Sequence, residues 1–289
     1  MARRLLPFAG LATVGLFGAA CTAVLGIEDT QRNSTPSDTG AEVAPGADWS
    51  CIGKVVQGPA TVTKITITAI IVDFVTGKAP VDDKGAAIPM KVLACGTKTD
   101  KACSVKLAEV TSPTDGITKV EIPLDAGSKG FNGYLRVTGP GYVPYLWYFS
   151  RPLADSRSFP LAVLTVPTLE DPKAGLLQSF KLAAADDRGQ IAVQATDCGD
   201  YPAGKVKFAV EPAPDTGAAQ FYFADGVPAS TTETDDKGTT GGLGGFWNLK
   251  AGTYVVKSLP SVLGGSVVAG SNSVIIEPHS LTTIRLLPN

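Results

Sequence analysis

The sequence predicts an all-β protein: two Greek-key-type β-sandwich domains joined by a short helical connector, after a signal peptide and a disordered tether. Three observations carry that expectation. Short runs alternate apolar and polar residues with the period of two that a half-buried strand requires. Glycine (32) and proline (21) are abundant between those runs, and threonine and valine recur throughout, the composition of strands joined by turns. The same order of strand and turn signals also returns in the second half, which divides the chain in two.

The elements follow in order. Arg3 and Arg4 precede an uncharged apolar run, Leu5 to Ala20, ending Gly18-Ala19-Ala20-Cys21. The run is short of the roughly twenty residues that span a bilayer. A positive start, an apolar run and small residues before a cysteine are the layout of a lipoprotein signal over residues 1–20, with Cys21 lipidated as the new N-terminus. An ordinary cleaved secretory signal is the alternative, and Gly18 departs from the larger aliphatic residue common at that position. Thr22, where inner-membrane retention would want Asp, favours the outer membrane, with the chain facing the periplasm or the cell surface. Residues 21–50 then read as lipidated cysteine and disordered tether, since Glu28 to Asp48 offers almost nothing to bury. Its 28 residues from Thr22 to Trp49 reach about 90 Å when fully extended.

Residues 51–155 read as the first sandwich. Ile65, Ile67, Ala69 and Ile71 alternate with Thr66, Thr68 and Ile70; further strands are expected over Pro89–Ala94, Val105–Val110, Lys119–Leu124 and Tyr134–Thr138. Residues 156–187 read as a connector with a short helix: Asp171 suits an N-cap, Pro172 the first helical position, and Leu169, Leu176, Leu177 and Phe180 share one side. Residues 188–289 read as the second sandwich. Its strands are expected over Ile191–Ala195, Lys205–Val210, Gln220–Phe223, Thr253–Leu259, Val274–Glu277 and Thr282–Leu286.

The four remaining cysteines, Cys51, Cys95, Cys103 and Cys198, imply two disulfides in an exported chain, with three pairings possible. Cys95 and Cys103 flank one short polar segment and are expected to bridge adjacent strands, which leaves Cys51 and Cys198 to join across the domains. A four-cysteine metal site lacks both a C-x-x-C pair and histidines, so no metal is expected.

The two halves share an order of signals that includes Asp73-Phe74-Val75-Thr76-Gly77-Lys78-Ala79-Pro80 and Thr114-Asp115-Gly116 in the first. The second has Thr234-Asp235-Asp236-Lys237-Gly238 and Ala251-Gly252-Thr253-Tyr254-Val255-Val256. On these motifs the chain resembles tandem carboxypeptidase regulatory-like (transthyretin-like) β-sandwiches, over roughly residues 60–150 and 188–289. The first copy departs at Gly130-Phe131-Asn132-Gly133-Tyr134. The leader through Asp29 is similar to that of uncharacterised myxobacterial lipoproteins. The resemblance implies non-catalytic spacers or binding modules.

Chemistry is sparse. Asp-Asp-basic-Gly occurs at Asp82–Gly85, Asp186–Gly189 and Asp235–Gly238, where an acid at the start and a glycine at the end suit a tight turn better than a calcium loop. His279 is the only histidine, and Ser280 beside it makes no triad. No cofactor motif is present, and a carboxylate-dependent hydrolase is the remaining enzymatic alternative. Loss of Arg3 and Arg4 with the leader takes the net charge from -2 to about -4, with no basic patch for nucleic acid. Aromatic clusters put Tyr145, Trp147 and Trp247 forward as contacts for a glycan, peptidoglycan or protein partner, the alternative being that Trp147 and Trp247 are core or domain-interface residues. The sequence thus reads as a membrane-tethered binding or scaffolding protein without catalytic activity.

Overall fold

The expected alternation of the first strand is met in three dimensions: Ile65, Ile67, Ala69 and Ile71 are fully buried, and Thr66, Thr68 and Ile70 between them are half-exposed. The computed structural model describes residues 46–169, 181–183, 185–224, 227–229, 231–235 and 241–289. The leader, Cys21, most of the expected tether and the expected helix from Asp171 to Phe180 lie outside the described residues.

In chain order the strands are β1 (Lys64–Asp73), β2 (Lys91–Cys95), β3 (Lys106–Thr111), β4 (Ile117–Pro123), β5 (Tyr134–Thr138), β6 (Tyr145–Tyr148), β7 (Arg157–Val163), β8 (Arg188–Ala195), β9 (Val206–Glu211), β10 (Ala219–Ala224), β11 (Val227–Ala229), β12 (Leu243–Lys250), β13 (Gly252–Pro260), β14 (Gly270–Ile276) and β15 (Leu281–Leu286). They form three sheets. Two have three strands, in the orders β4-β1-β7 and β14-β13-β9. The third has nine, in the order β11-β10-β12-β8-β15-β6-β5-β2-β3. The strand-rich sandwich architecture follows directly.

The internal repeat is visible in the pairing. β1 is antiparallel to β4 and parallel to β7, and β8 is antiparallel to β12 and parallel to β15. Likewise β5 lies between β2 and β6 as β13 lies between β9 and β14. The halves differ at two places: β3 pairs with β2, whereas β10 pairs with β12, and β10 is flanked by an extra strand, β11. Each repeat turns out of its first strand on an aspartate. Asp73 Oδ1 accepts from the amides of Val75 and Thr76, and Asp197 Oδ1 from those of Gly199 and Tyr201. Such a side chain closes the turn by replacing a backbone acceptor. At Gly116, φ is 74° and a Cβ would stand 2.4 Å from the Ile71 carbonyl oxygen, so the Thr114-Asp115-Gly116 turn requires glycine against β1.

The two sandwiches meet at a seam. β15 runs parallel to β6 of the first half, in the register Leu281↔Tyr145 to Ile284↔Tyr148, and parallel to β8 of the second. One sheet therefore belongs to both sandwiches. The β4-β1-β7 sheet packs on one of its faces and the β14-β13-β9 sheet on the other, which gives two cores. Tyr145 and Trp147 point into the first, Leu146 and Tyr148 into the second. The segment read as connector contains β7, which completes the first sandwich by pairing with β1. Order begins before residue 51, because Ala47 and Trp49 pack against the second core.

Both disulfides form as expected, Cys51–Cys198 and Cys95–Cys103, with sequence separations of 147 and 8 residues. Cross-linking removes loop-closure entropy from the unfolded chain in proportion to the logarithm of the loop. Replacing Cys51 and Cys198 with alanine is accordingly expected to cost about 5 kcal/mol, and replacing Cys95 and Cys103 about 2.5 kcal/mol. Urea unfolding of the two double variants measures the difference; equal losses would contradict it.

Candidate functional site

Of the three residues singled out as contacts, Tyr145 and Trp147 lie inside the protein. Tyr145 is 1% and Trp147 4% exposed. The Thr283 hydroxyl donates to the Tyr145 hydroxyl at 2.9 Å, and the Trp147 ring lies 6.1 Å from that of Phe159. Trp247 is half-buried, with its ring 5.3 Å from Phe221, and packs against the first core. The physical reason is the shared sheet: β6 is covered on both faces, so its aromatics have no solvent side. Neither Tyr145 nor Trp147 offers a sugar the open ring face that stacking needs.

What the structure assembles instead is a polar cluster where the halves meet. The loop closed by Cys95–Cys103 lies against β14. Lys98 Nζ donates to Asn272 Oδ1 at 2.8 Å, and Asn272 Nδ2 donates to the Phe149 carbonyl at 2.7 Å. Tyr148 links both sides, its hydroxyl accepting from the Ile275 amide at 3.0 Å and donating to the Lys98 carbonyl at 3.2 Å. Tyr134 stacks on Tyr148 with centroids 4.9 Å apart and donates to the Asp100 carbonyl. Arg136 of β5 pairs with Glu277 at 2.8 Å. No pattern in the sequence announced this cluster; its only trace was the cysteine bracket around Lys98.

Burial shapes its titration. Desolvation lowers Lys98 from its ordinary 10.5 to about 8. Desolvation also raises Glu277, against the opposing pull of Arg136, and pushes Tyr134 up to about 12. For Tyr148 desolvation likewise raises the phenol.

The residues considered for catalysis serve turns. Ser280 is buried; its Oγ donates to the Glu277 carbonyl and accepts from the Glu277 amide, while His279 is exposed at a φ of 52°. Asp82 Oδ1 accepts from the amides of Lys84 and Ala86, which closes a turn as expected. In the second such motif Arg188 instead opens β8 and holds Asp215 through two bonds of 2.8 Å. In the third, Asp236–Gly238 lies outside the described residues. Among the described residues, no three His, Cys, Asp or Glu side chains converge to hold a metal ion. The outer face of the β4-β1-β7 sheet carries a shallow polar groove lined by Thr66, Thr68, Lys119, Glu121 and Arg157.

No family model matches the chain, and no curated protein matches its sequence. Solved structures similar to it include the Bacillus anthracis TIE protein, at 12% identity and a TM-score of 0.22 over 78% of this chain and 34% of that one. The chain thus spans about a third of the length of that relative. GBS52, the minor pilin of Streptococcus agalactiae, aligns at 12% identity and 0.22 over 78% and 96% of the two chains. The full-length RrgB pilus protein from Streptococcus pneumoniae aligns at 11% and 0.20 over 81% and 48%. Superpositions this poor carry no argument about function, and the architecture above rests on this chain's own strand pairing.

The titration of Lys98 gives a test. Folding weakens its hold on a proton, so between pH about 8 and 10.5 the unfolded chain carries the extra proton and stability rises with pH. Below that window the penalty is fully present, roughly 2 kcal/mol after discounting for partial solvent access. Above pH 10 Tyr134 and Tyr142, both raised to about 12, reverse the trend. The urea midpoint is expected to climb from pH 8 to 10 in the wild type and stay flat in Lys98→Met.

Proposed function

We propose that this chain is a lipid-anchored cell-envelope scaffolding protein without catalytic activity, presenting two fused β-sandwiches to a protein partner from the outer membrane. The observation that carries the reading is the seam. Two sandwiches that could have hung on a flexible joint share a sheet, and a disulfide spanning 147 residues fastens the segment that precedes the first onto the second, so their surfaces keep a fixed spacing. Fixed spacing serves a spacer or platform, because it removes the entropic cost of ordering two modules on a partner. Ser280 and Asp82 are engaged in turns, and Glu109, Glu121, Glu211 and Glu277 in ion pairs, which favours this reading over the cryptic carboxylate-dependent hydrolase.

The repeated strand pairing supports two copies of one module, on this reading spacer or binding units of the carboxypeptidase regulatory-like kind that the turn motifs resemble. The anchor rests on Arg3, Arg4, the run from Leu5 to Ala20 and Cys21. Glycan stacking is disfavoured by the burial of Tyr145 and Trp147.

Metabolic labelling with a fatty-acid analogue is expected to tag the wild type and not Cys21→Ser. Equal labelling of both would refute the anchor. Protease shaving of intact and lysed cells then separates a surface-facing protein, digested in intact cells, from a periplasmic one, protected until lysis.

A further inference from the structure

The turn between β13 and β14 is unusual for an exposed loop. It reads Ser261-Val262-Leu263-Gly264-Gly265-Ser266-Val267-Val268, and no charged residue occurs between Ser258 and Ile276. Val262 is 60%, Leu263 36%, Val267 40% and Val268 40% exposed. Its first half is nonetheless held by hydrogen bonds. Ser261–Leu263 forms a single 3-10 turn with none of its residues buried, capped by Gly264 at a φ of 82°. The Gly264 and Gly265 amides donate back to Ser261 and Pro260. A loop held at Ser261–Gly265 and at Ala269, with four partly exposed aliphatic side chains, has already met part of the ordering cost of burying them.

Its position says what it faces. The Ala269 carbonyl accepts from the Asn289 amide at 2.7 Å, and the Asn289 carbonyl from the Gly53 amide at 2.6 Å. Val55 and Val56, the latter 90% exposed, follow within three residues of that row. Asp48 joins the same end through the Cys198 amide, next to the Cys51–Cys198 bond. The apolar end is therefore the end at which the chain arrives from Cys21. Lys54 and Lys205 are exposed beside it, and the Lys205 carbonyl accepts from the Ser261 amide. Glu233, half-buried, is held by the Ser261 hydroxyl at the root of the loop.

We propose that Val262, Leu263, Val267 and Val268 form a second membrane contact, dipping into the interface of the bilayer that holds the lipidated N-terminus. This rests on the anchor reading above. Four partly exposed aliphatic side chains are too few to hold a protein on a membrane alone. A tether converts that weak contact into an intramolecular one, with the bilayer always at high effective concentration. Lysines flanking an uncharged apolar tip meet the anionic headgroups as the tip enters. The loop then orients the two sandwiches relative to the membrane, which a tether alone does not do.

The test uses the full lipid-modified chain in vesicles of phosphatidylethanolamine and phosphatidylglycerol. Four of its five cysteines are in disulfides and Cys21 carries the lipid, so Val262→Cys supplies one thiol for an environment-sensitive fluorophore. Asp83→Cys is the control: it precedes β2, which runs in the same direction as β15, and so lies toward the opposite end of the shared sheet. Emission at 262 is expected to shift to the blue and to be quenched several-fold more than at 83 by lipids carrying a quencher in the acyl chain. Adding Val267→Asp and Val268→Asp should abolish the shift with unchanged circular dichroism. Sedimentation of the same vesicles reads the anchor separately. A chain that sediments but emits at 262 as it does in water overturns the loop contact. A chain that does not sediment overturns the anchor, and the loop contact with it.

Discussion

The parallel ladder of β15 between β6 and β8 is the constraint on which the arrangement depends. Through it the four-stranded wall of the first sandwich and the five-stranded wall of the second become one sheet. The ladder sets which way each side chain of β6 points. Tyr145 and Trp147 fill one core, Leu146 and Tyr148 the other. A slip of one residue would exchange the two sets. Because all four are large and nearly fully buried, such a slip would leave cavities and overpacking in both cores together. The seam therefore fixes both sandwiches at once.

Around that ladder lies a polar layer that apolar packing could not specify alone. The Tyr148 hydroxyl satisfies the Ile275 amide and the Lys98 carbonyl, while Asn272 spans from Lys98 to the Phe149 carbonyl. Each bond is worth little net, but a buried partner left unmade costs far more. The layer thus penalises alternative dockings of the halves more strongly than it stabilises the native one. The Arg136–Glu277 pair, only partly exposed, adds a match of charge at the same boundary.

Much of the fold was legible in the sequence, and the omissions share one cause. β1, β4 and β9 each have one buried face, and their alternation could be read directly. The strands passed over are those without such a contrast. β6 is buried on both faces and reads as an aromatic cluster, and β12 is buried at six of its eight positions and half-buried at Trp247, with Gly244 and Gly245 masking it as a loop. β7 contains Pro160, which reads as a break, yet pairs with β1 along the edge of its sheet, where proline is tolerated. The cysteine pairing was legible because the short bracket at Cys95 and Cys103 left one partner each. Trp147 was visible as an aromatic but not as a buried one, since burial on both sides is a property of the sheet. Lys98 was not legible at all: desolvation arises only when its loop meets β14, 174 residues away from Asn272.

The placement of β15 also dictates an order of assembly. Its Thr283 meets Tyr145 across 138 residues of chain, and its two neighbours in the sheet, β6 and β8, both precede it in sequence. A polypeptide emerging N-terminus first presents those neighbours as open edges, each a template for pairing with a stray strand. They stay open until residues 281–286 appear. The first sandwich can gather its own core early, but the junction is a late event with high contact order. Holding the nascent chain apart from its copies over that interval is a requirement that the finished, closed sheet no longer displays.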